Sequence, residues 1–520
     1  MQGLIALALG AALSALVIRA MIGIAPKVGL VDHPGEHKQH EHVTPFVGGF
    51  GVLAALLVAV GMLLWLDPAH ATAWFSLAFC GVVMFAVGLA DDRWKLSARI
   101  RLVIQAGLAL IMVYGGGVVL ADIGDAFFTG AITMGFAAAV PFTVFGTVGC
   151  INALNMVDGI DGLSGTIAAG TLALIALVSG LGGEGSTHLL AMGLLGGVIG
   201  FLWFNLRFGT QHRARVFMGD NGSMTLGLML CWLLITITQG EHPVVPPIVA
   251  LWIFALPLID TLSVMFRRIW LGKSPFSPDR NHLHHLLQRA GFRVENTVTL
   301  MGTAHLVLGA TGIVGAWMGV HEGVLALGWL GVLIAYMRLT ARPWRFVPVL
   351  RGLHHMLGLT PARNIGVFFG NCTLEHVEQI NALVAPQLDN HTIFRTRIYQ
   401  RGVASGRPGT RYAVVQIIID DETAPLRHQD LYMRLIRRAV RPIEGVYVRG
   451  YVHRDKLNDP RVNAVPIAND QRTRERRSDD CALIEESFTY VRDGRIVEQQ
   501  INHPLKQRRP TLTPAPQSPL

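Results

Sequence analysis

Charge is what this chain lacks most. Only 15% of its 520 residues are Asp, Glu, Lys or Arg, against roughly 25% in soluble domains. With 51% hydrophobic residues and a mean hydropathy of +0.43, that scarcity excludes a soluble enzyme and a disordered scaffold alike. Cysteine is also scarce. There are five, three of them (Cys80, Cys150 and Cys231) inside apolar runs, so neither a disulfide framework nor a CxxC metal site is implied. Glycine, by contrast, is plentiful at 57 residues, as in membrane helices. The net charge of +9 would suit a nucleic-acid binder only if it lay on a soluble face.

Apolar runs of about 20 residues, long enough to cross roughly 30 Å of hydrocarbon, recur down to about residue 337. Eleven spans are expected, near 3–25, 46–66, 70–90, 100–120, 133–155, 163–181, 188–206, 222–240, 245–266, 297–318 and 323–340. The first has no basic leader and no small-residue cleavage site, and reads as a retained span. Gaps after the second, fourth, sixth, eighth and tenth runs contain no Lys or Arg. They hold Asp67, Asp122, Asp125, Glu184, Glu241 and Glu322. Gaps after the first, third, seventh and ninth carry basic residues, among them Lys38, Arg93, Arg101, Arg207, Arg267 and Arg280. The positive-inside rule puts the basic set in the cytoplasm, with the N-terminus outside and the C-terminal region inside. An odd number of spans agrees.

Charge then divides along the chain. Residues 1–337 hold 16 basic and 17 acidic residues, whereas 338–520 hold 28 and 18. The surplus positive charge belongs to the tail.

Polar clusters recur only in the cytoplasmic gaps. Asp91-Asp92-Arg93 closes the third run. Two carboxylates at a helix C-terminus oppose the helix dipole, so they are either solvated beside Arg93 and Lys95 or compensated by Mg²⁺ or a cation-bound phosphate. Asn152, Asn155, Asp158 and Asp161 repeat every third residue through an apolar stretch. An unbroken helix would set Asn152 and Asp161 on opposite faces. Gly159 and Gly162 allow a break that turns all four towards one site. Phe217-Met-Gly-Asp220-Asn-Gly-Ser223 opens the eighth run, where a helix N-terminus can cradle phosphate and Asp220 can hold a metal, or where Asp220 or Ser223 merely caps the helix. Arg280-Asn-His282-Leu-His284-His285 lies in the longest cytoplasmic loop. HxHH invites zinc, but no further Cys or His nearby completes a tetrahedron. Arg280 beside imidazoles reads better as an anion-binding set. Asp32, Lys38 and His40, with His33, His37 and His42 as neighbours, form another such set or a solvated loop. A GxGxxG match at 180–185 has no strand before it, and Gly272-Lys273-Ser274 lacks the upstream glycine of a P-loop.

Together these segments resemble the polyprenyl-phosphate N-acetylhexosamine-1-phosphate transferase family. The resemblance is carried by Asp-Asp-Arg at 91–93, NALNMVDGIDGLSG at 152–165, FMGDNGS at 217–223 and RNHLHHLLQRAGF at 280–292. Asp32-His-Pro34, Lys38, His40, Pro45 and Gly48-Gly49 are spaced as in that family, and SPFSPDR at 274–280 is most similar to its bacterial undecaprenyl-phosphate N-acetylglucosamine-1-phosphate branch. The resemblance covers about residues 1–340.

It implies an all-α polytopic membrane enzyme that moves a sugar-1-phosphate from a UDP-sugar donor to a polyprenyl phosphate in the bacterial inner membrane. UMP is released and a lipid-linked surface polysaccharide is started. The site would face the cytoplasm. Mg²⁺, or Mn²⁺ in its place, would be held by Asp220 and Asn155. Asp161 would contact the uracil with Phe217 stacked on it, and Arg280, His282, His284 and His285 would hold the pyrophosphate. Lys38, His40 and Asn152 are further substrate-binding candidates, and Asp91, Asp92 and Asp158 are essential acids. Anions must be brought together in such a reaction, so cations are required. A phosphate monoester has its second pKa near 6, so direct attack by the lipid phosphate is favoured over a covalent aspartyl intermediate. A homodimer is compatible with the family, and no nucleic-acid partner is expected. Competing readings are another UDP-N-acetylhexosamine donor, a pentapeptide-bearing sugar (whose enzymes normally carry three consecutive His), a secondary transporter, or an accessory scaffold.

Asp260, inside the ninth run, either orients Arg267 and Arg268, supports the site from behind, or makes a structural contact. Beyond the core, Arg338, Arg342, Trp344, Arg345 and Arg351 suggest a basic interfacial linker over 341–362. Residues 363–502 read as a small cytoplasmic α/β domain, with strands at 393–400, 411–419, 445–452, 486–492 and 495–499, a helix at 428–440 and an Asp493-Gly494 turn. The Pro-rich tail 503–520 reads as disordered.

Overall fold

The computed structural model describes residues 1–32, 44–208, 211, 213–241, 243–270, 272, 282–341 and 343–359, with strands at 366–372, 392–401, 411–419, 447–451, 481–492 and 495–502. Lys38, His40, Arg280, the helix expected at 428–440, the Asp493-Gly494 turn and the tail 503–520 lie outside the described residues. The chain divides into two compact units, Met1–Leu286 with Val294–Phe346, and Leu287–Arg293 with Val347–Leu520.

The first unit is helical. It opens with α1 (Gln2–Val28), a short antiparallel pair β1 (Val31–Asp32) and β2 (Thr44–Pro45), then α2 (Gly48–Leu66), α3 (Ala71–Trp94) and α4 (Ala98–Tyr114). There follow α5 (Phe136–Val157), α6 (Leu163–Leu181), α7 (Gly185–Asn205), α8 (Gly219–Thr238), α9 (Pro247–Ile253) and α10 (Ala255–Trp270). Next come α11 (Leu283–Ala290), α12 (Val294–Trp317), α13 (Glu322–Thr340) and α14 (Pro343–Met356), of which α11 and α14 are each divided between the units. Among the described residues, nine helices are long and apolar enough to cross a membrane, or ten if α9 and α10 make one broken span.

Two of the eleven expected spans differ. The run at 245–266 is not one helix, because α9 and α10 meet at a bend of 80°. Pro257 offers no N–H to the Ile253 carbonyl and its ring crowds it, so the helix breaks at Phe254. The run near 100–120 becomes α4, which stops after 17 residues, about 25 Å at 1.5 Å per residue. Three consecutive glycines follow it, and glycine is a weak helix former.

Helix α8 is the centre of the bundle, with 17 of its 20 residues buried. Its sequence is apolar all round, as a helix surrounded by others requires. Close neighbours at its N-terminus are small. A Cβ on Gly88 of α3 would overlap the backbone of Asp220 and Asn221, so only glycine lets α3 approach so near. Helix ends alternate: the C-termini of α3, α5 and α7 meet the N-termini of α4, α6 and α8. At the opposite end, Ser186 donates to Asp67, and Gln239 bonds to the backbone of Asp122.

The second unit contains a six-stranded antiparallel sheet, ordered β6-β3-β5-β4-β7-β8. Its strands are β3 (Gly366–Cys372), β4 (Thr392–Arg401), β5 (Arg411–Ile419), β6 (Tyr447–Tyr451), β7 (Cys481–Arg492) and β8 (Arg495–Asn502). β7 and β8 form a hairpin with Arg492 opposite Arg495. β3 adds to the strands expected from the sequence.

The packing at Gly88 is directly testable. Gly88→Val should destabilise the purified protein by about 1–3 kcal/mol, read as a lower unfolding midpoint in detergent. Gly61→Ala, where an added Cβ meets nothing within 4 Å, should leave the midpoint unchanged or raise it slightly, alanine being the better helix former. Equal midpoints for both variants would show that the α3–α8 approach carries no constraint.

Candidate active site

The site is built where helix ends converge. Helix α3 ends on Asp91 and Asp92, and their neighbours resolve the conflict of two acids at a C-terminus. Asp91 is buried and pairs with Arg101 from the first turn of α4. Asp92 reaches across to α8. Its Oδ1 accepts the Asp220 backbone N–H at 2.9 Å, and its Oδ2 accepts the Asn221 backbone N–H at 3.1 Å and the Asn221 side-chain amide at 2.5 Å. An acid that is unfavourable at one helix C-terminus is favourable at another's N-terminus. The N-terminus of α8, read from sequence as a phosphate cradle, thus already holds a carboxylate from α3.

That contact presents Asp220. Its Oδ1 accepts from the Asn155 amide at 2.6 Å, and the same amide nitrogen donates to Ser223 Oγ at 2.9 Å. Asp91 also lies within hydrogen-bonding reach of Asp220. Helix α5 stops at Val157, and the chain breaks through 158–162 before α6 begins. Gly162 holds φ +83°, a left-handed conformation that disfavours other residues. Its N–H is tied to Asn205 Oδ1 at 2.6 Å. This break turns Asp158 towards Asp92 at the end of α3. The Ser164 hydroxyl donates to Asp158 at 2.6 Å. Burial pushes the Asp158 carboxyl up to about 6, the nearby Asp92 and Asp161 carboxylates add to the rise, and the Ser164 bond opposes it.

Other expected residues take separate places. Asp161 forms an ion pair with Arg207 at 2.7 Å, and the same oxygen accepts the Ala214 N–H. Asn152 donates to Gln105 of α4 at 2.8 Å and to the Val148 carbonyl of its own helix at 2.7 Å. Phe217 is half-buried, its backbone bonded to Pro45 and Gly48. His284 is buried and packs so closely on Gly159 that a Cβ there would overlap its ring. The histidine segment and the 152–165 segment are therefore in contact. Burial lowers the His284 pKa to about 3, with His285 and His282 adding to the fall and Asp260 opposing it. His284 is thus uncharged at neutral pH and offers a ring N–H rather than a positive charge.

Several partners carry no signal in the motifs. Arg101, Arg207 and Gln105 lie 10, 46 and 47 residues from the side chains they bond. Ser164 and Asn221 stand inside recognised segments, and their roles appear only in three dimensions.

The donor chemistry suits a hard cation. Arg101 pairs with Asp91, whereas Asp92, Asp158 and Asp220 take hydrogen bonds from uncharged donors. Crowding carboxylates in a partly buried site is unfavourable without positive charge. Among the described residues, no three His, Cys, Asp or Glu side chains group to hold a metal by themselves. Mg²⁺ would need only one or two protein carboxylates, its octahedron being filled with substrate phosphates and water. Asp220 is placed for this. Asn155 presents its amide nitrogen to Asp220, and half a turn of that amide would present oxygen instead.

Comparison with known proteins agrees with the geometry. Residues 74–238, from α3 to the end of α8, match glycosyl transferase family 4. The undecaprenyl-phosphate alpha-N-acetylglucosaminyl 1-phosphate transferase of Escherichia coli O157:H7 is 35% identical over 339 residues, 64% of this chain and 90% of its own. The proteins of that name from Yersinia pestis and Haemophilus influenzae are 36% and 34% identical, over 62% and 66% of this chain and 87% and 94% of theirs. The site segments lie on the helices within the matched region or beside it, and the chain is an enzyme belonging to glycosyl transferase family 4.

Proposed function

We propose that the chain transfers N-acetylglucosamine-1-phosphate from UDP-N-acetylglucosamine to undecaprenyl phosphate, at the cytoplasmic face of a bacterial inner membrane. The observation that carries this reading is the meeting of Asp91, Asp92, Asn155, Asp158 and Asp220 at one end of the bundle. That end belongs to the loops rich in Lys and Arg, which supports a cytoplasmic site and an outside N-terminus. The names of the relatives support the donor and acceptor.

In this reading an oxygen of the lipid phosphate attacks the phosphorus that bears the sugar. The bond from that phosphorus to the bridging oxygen breaks, and UMP leaves with that oxygen. Asp220 and Asn155 would hold Mg²⁺, which would neutralise the phosphate charges. Asp158, with a pKa of about 6, is matched to the second pKa of a phosphate monoester, near 6. It takes the residual proton of the lipid phosphate. Asp92 keeps Asp220 in place. Asp161, fixed by Arg207, has its other oxygen for the uracil beside Phe217. His284 donates one uncharged N–H to the pyrophosphate, and His282, His285, Arg280, Lys38 and His40 complete the anion-binding set. HLHH in place of three consecutive histidines favours a simple N-acetylhexosamine over a peptide-bearing sugar.

The direct test is a panel of radiolabelled UDP-N-acetylhexosamines with purified protein, undecaprenyl phosphate and Mg²⁺ or EDTA. Labelled lipid should form from UDP-N-acetylglucosamine with Mg²⁺ and vanish with EDTA; no lipid product from any donor would sink the enzyme reading. Asp220→Asn should lower kcat/KM by roughly 10³-fold, equivalent to about 4 kcal/mol. A variant within tenfold of the parent would remove Asp220 from the metal site.

The pH profile supplies a second check. Because the reactive forms of Asp158 and the lipid phosphate are both deprotonated and both titrate near 6, kcat/KM should rise roughly 100-fold from pH 5 to 7 and then level. His284 stays uncharged over that range, so His284→Gln should lower the rate but keep the limb. A limb that disappears in His284→Gln would contradict the assignment.

A further inference from the structure

Asp260 is fully buried on α10 and has no part in the reaction scheme above. Its two oxygens nevertheless take three hydrogen bonds. Oδ2 accepts from His282 Nδ1 at 2.8 Å, while Oδ1 accepts the Leu283 backbone N–H at 3.0 Å and the Tyr336 hydroxyl at 2.5 Å. A buried carboxylate is tolerated only when its lone pairs are met. Here the donors come from the start of α11 and from α13, 76 residues away.

The geometry has a chemical consequence. A carboxylate only accepts, so His282 must carry hydrogen on Nδ1, leaving Nε2 as the nitrogen available to a ligand. The His282 ring then stacks on His284, with centroids 5.8 Å apart and planes 10° from parallel, and His284 meets His285 at 4.1 Å. His284 rests on Gly159, next to Asp158. An unbroken run of contacts thus leads from Tyr336 through Asp260 and the histidines to the acid cluster. Arg267, which acts on Tyr336, and His284 are the other charged or titratable groups that face this pair.

We infer that Asp260, steadied by Tyr336, is a positioning residue that fixes the tautomer and ring orientation of His282 and the first turn of α11. The inference rests on the proposed role of the histidine segment in phosphate transfer. Asparagine at 260 would keep one acceptor oxygen but turn an NH₂ group towards at least one of the three donors, or reverse the His282 tautomer.

The test combines kinetics with a readout independent of activity. Full-length protein and the variants Asp260→Asn, Tyr336→Phe, His282→Gln and the double variant Asp260→Asn/His282→Gln are assayed for sugar-phosphate transfer, with unfolding midpoints in parallel. Asp260→Asn should lose about 10- to 100-fold in kcat/KM, and Tyr336→Phe about fivefold. The double variant should be no slower than His282→Gln alone, because Asp260 acts through that ring. Losses that multiply in the double variant, or a wild-type rate in Asp260→Asn, would overturn the inference. If Asp260→Asn does not fold, the same comparison is made with Tyr336→Phe and Tyr336→Phe/His282→Gln. ¹⁵N-histidine spectra, with the His282 signal identified by its loss in His282→Gln, should report hydrogen on Nδ1 in the parent and a displaced signal in Asp260→Asn or Tyr336→Phe. An Nε2–H tautomer in the parent would refute the inference. If the parent transfers no sugar phosphate, the proposed function fails, and the spectra still decide the Asp260–His282 pairing.

Discussion

The carboxylate of Asp92 on the N-terminus of α8 is the contact on which the site depends. It joins the negative end of α3 to the positive end of the most buried helix, and it does so beside Gly88, where only glycine allows the approach. Asp220 follows Asp92's hydrogen bond by sequence alone, since its own backbone N–H is the donor. The Asn155 amide then joins Asp220 to Ser223. A single acid that would destabilise its own helix thereby fixes the end of another and the residues around it.

The rest of the cluster is costly to fold. Four acids converge with Arg101 as the guanidinium paired to Asp91, and burial raises Asp158 towards neutrality. Such an arrangement trades stability for a site that welcomes a cation and its phosphate ligands, as functional sites commonly do. Supporting contacts reduce the cost. Ser164 bonds Asp158, Arg207 pairs with Asp161, and Asn205 holds the break at Gly162. The uncharged His284 closes one side without adding a buried charge.

Much of this was legible in the sequence, for identifiable reasons. Polar residues at a spacing of three cannot be accidental core in an apolar run, and Gly162 does break the chain between α5 and α6. Alternating basic and acidic gaps match the alternation of helix ends. What stayed hidden depends on distant parts of the chain. Nothing local shows that Asp92 reaches the backbone of α8. Nothing local pairs Asn152 with Gln105. Asp260 reads equally as ballast or support, because nothing local points to Tyr336. Pro257 did carry a visible signal for the α9–α10 bend, but hydropathy averages across a break. β3 is absent from the sequence reading because the two glycines of GVFFGNC weaken its strand signal.

The claim that Asp92 acts by holding Asp220, rather than by reacting, is the one most worth measuring. The quantity is the Mg²⁺ concentration for half-maximal transfer in the parent and in Asp92→Asn. Supporting groups around a metal typically govern affinity by about 10- to 100-fold. Asp92→Asn should raise the half-maximal Mg²⁺ concentration by that factor, while kcat at saturating Mg²⁺ returns to within roughly tenfold of the parent. An unchanged Mg²⁺ dependence together with a kcat that saturating metal does not restore would contradict the account and place Asp92 among the reacting groups.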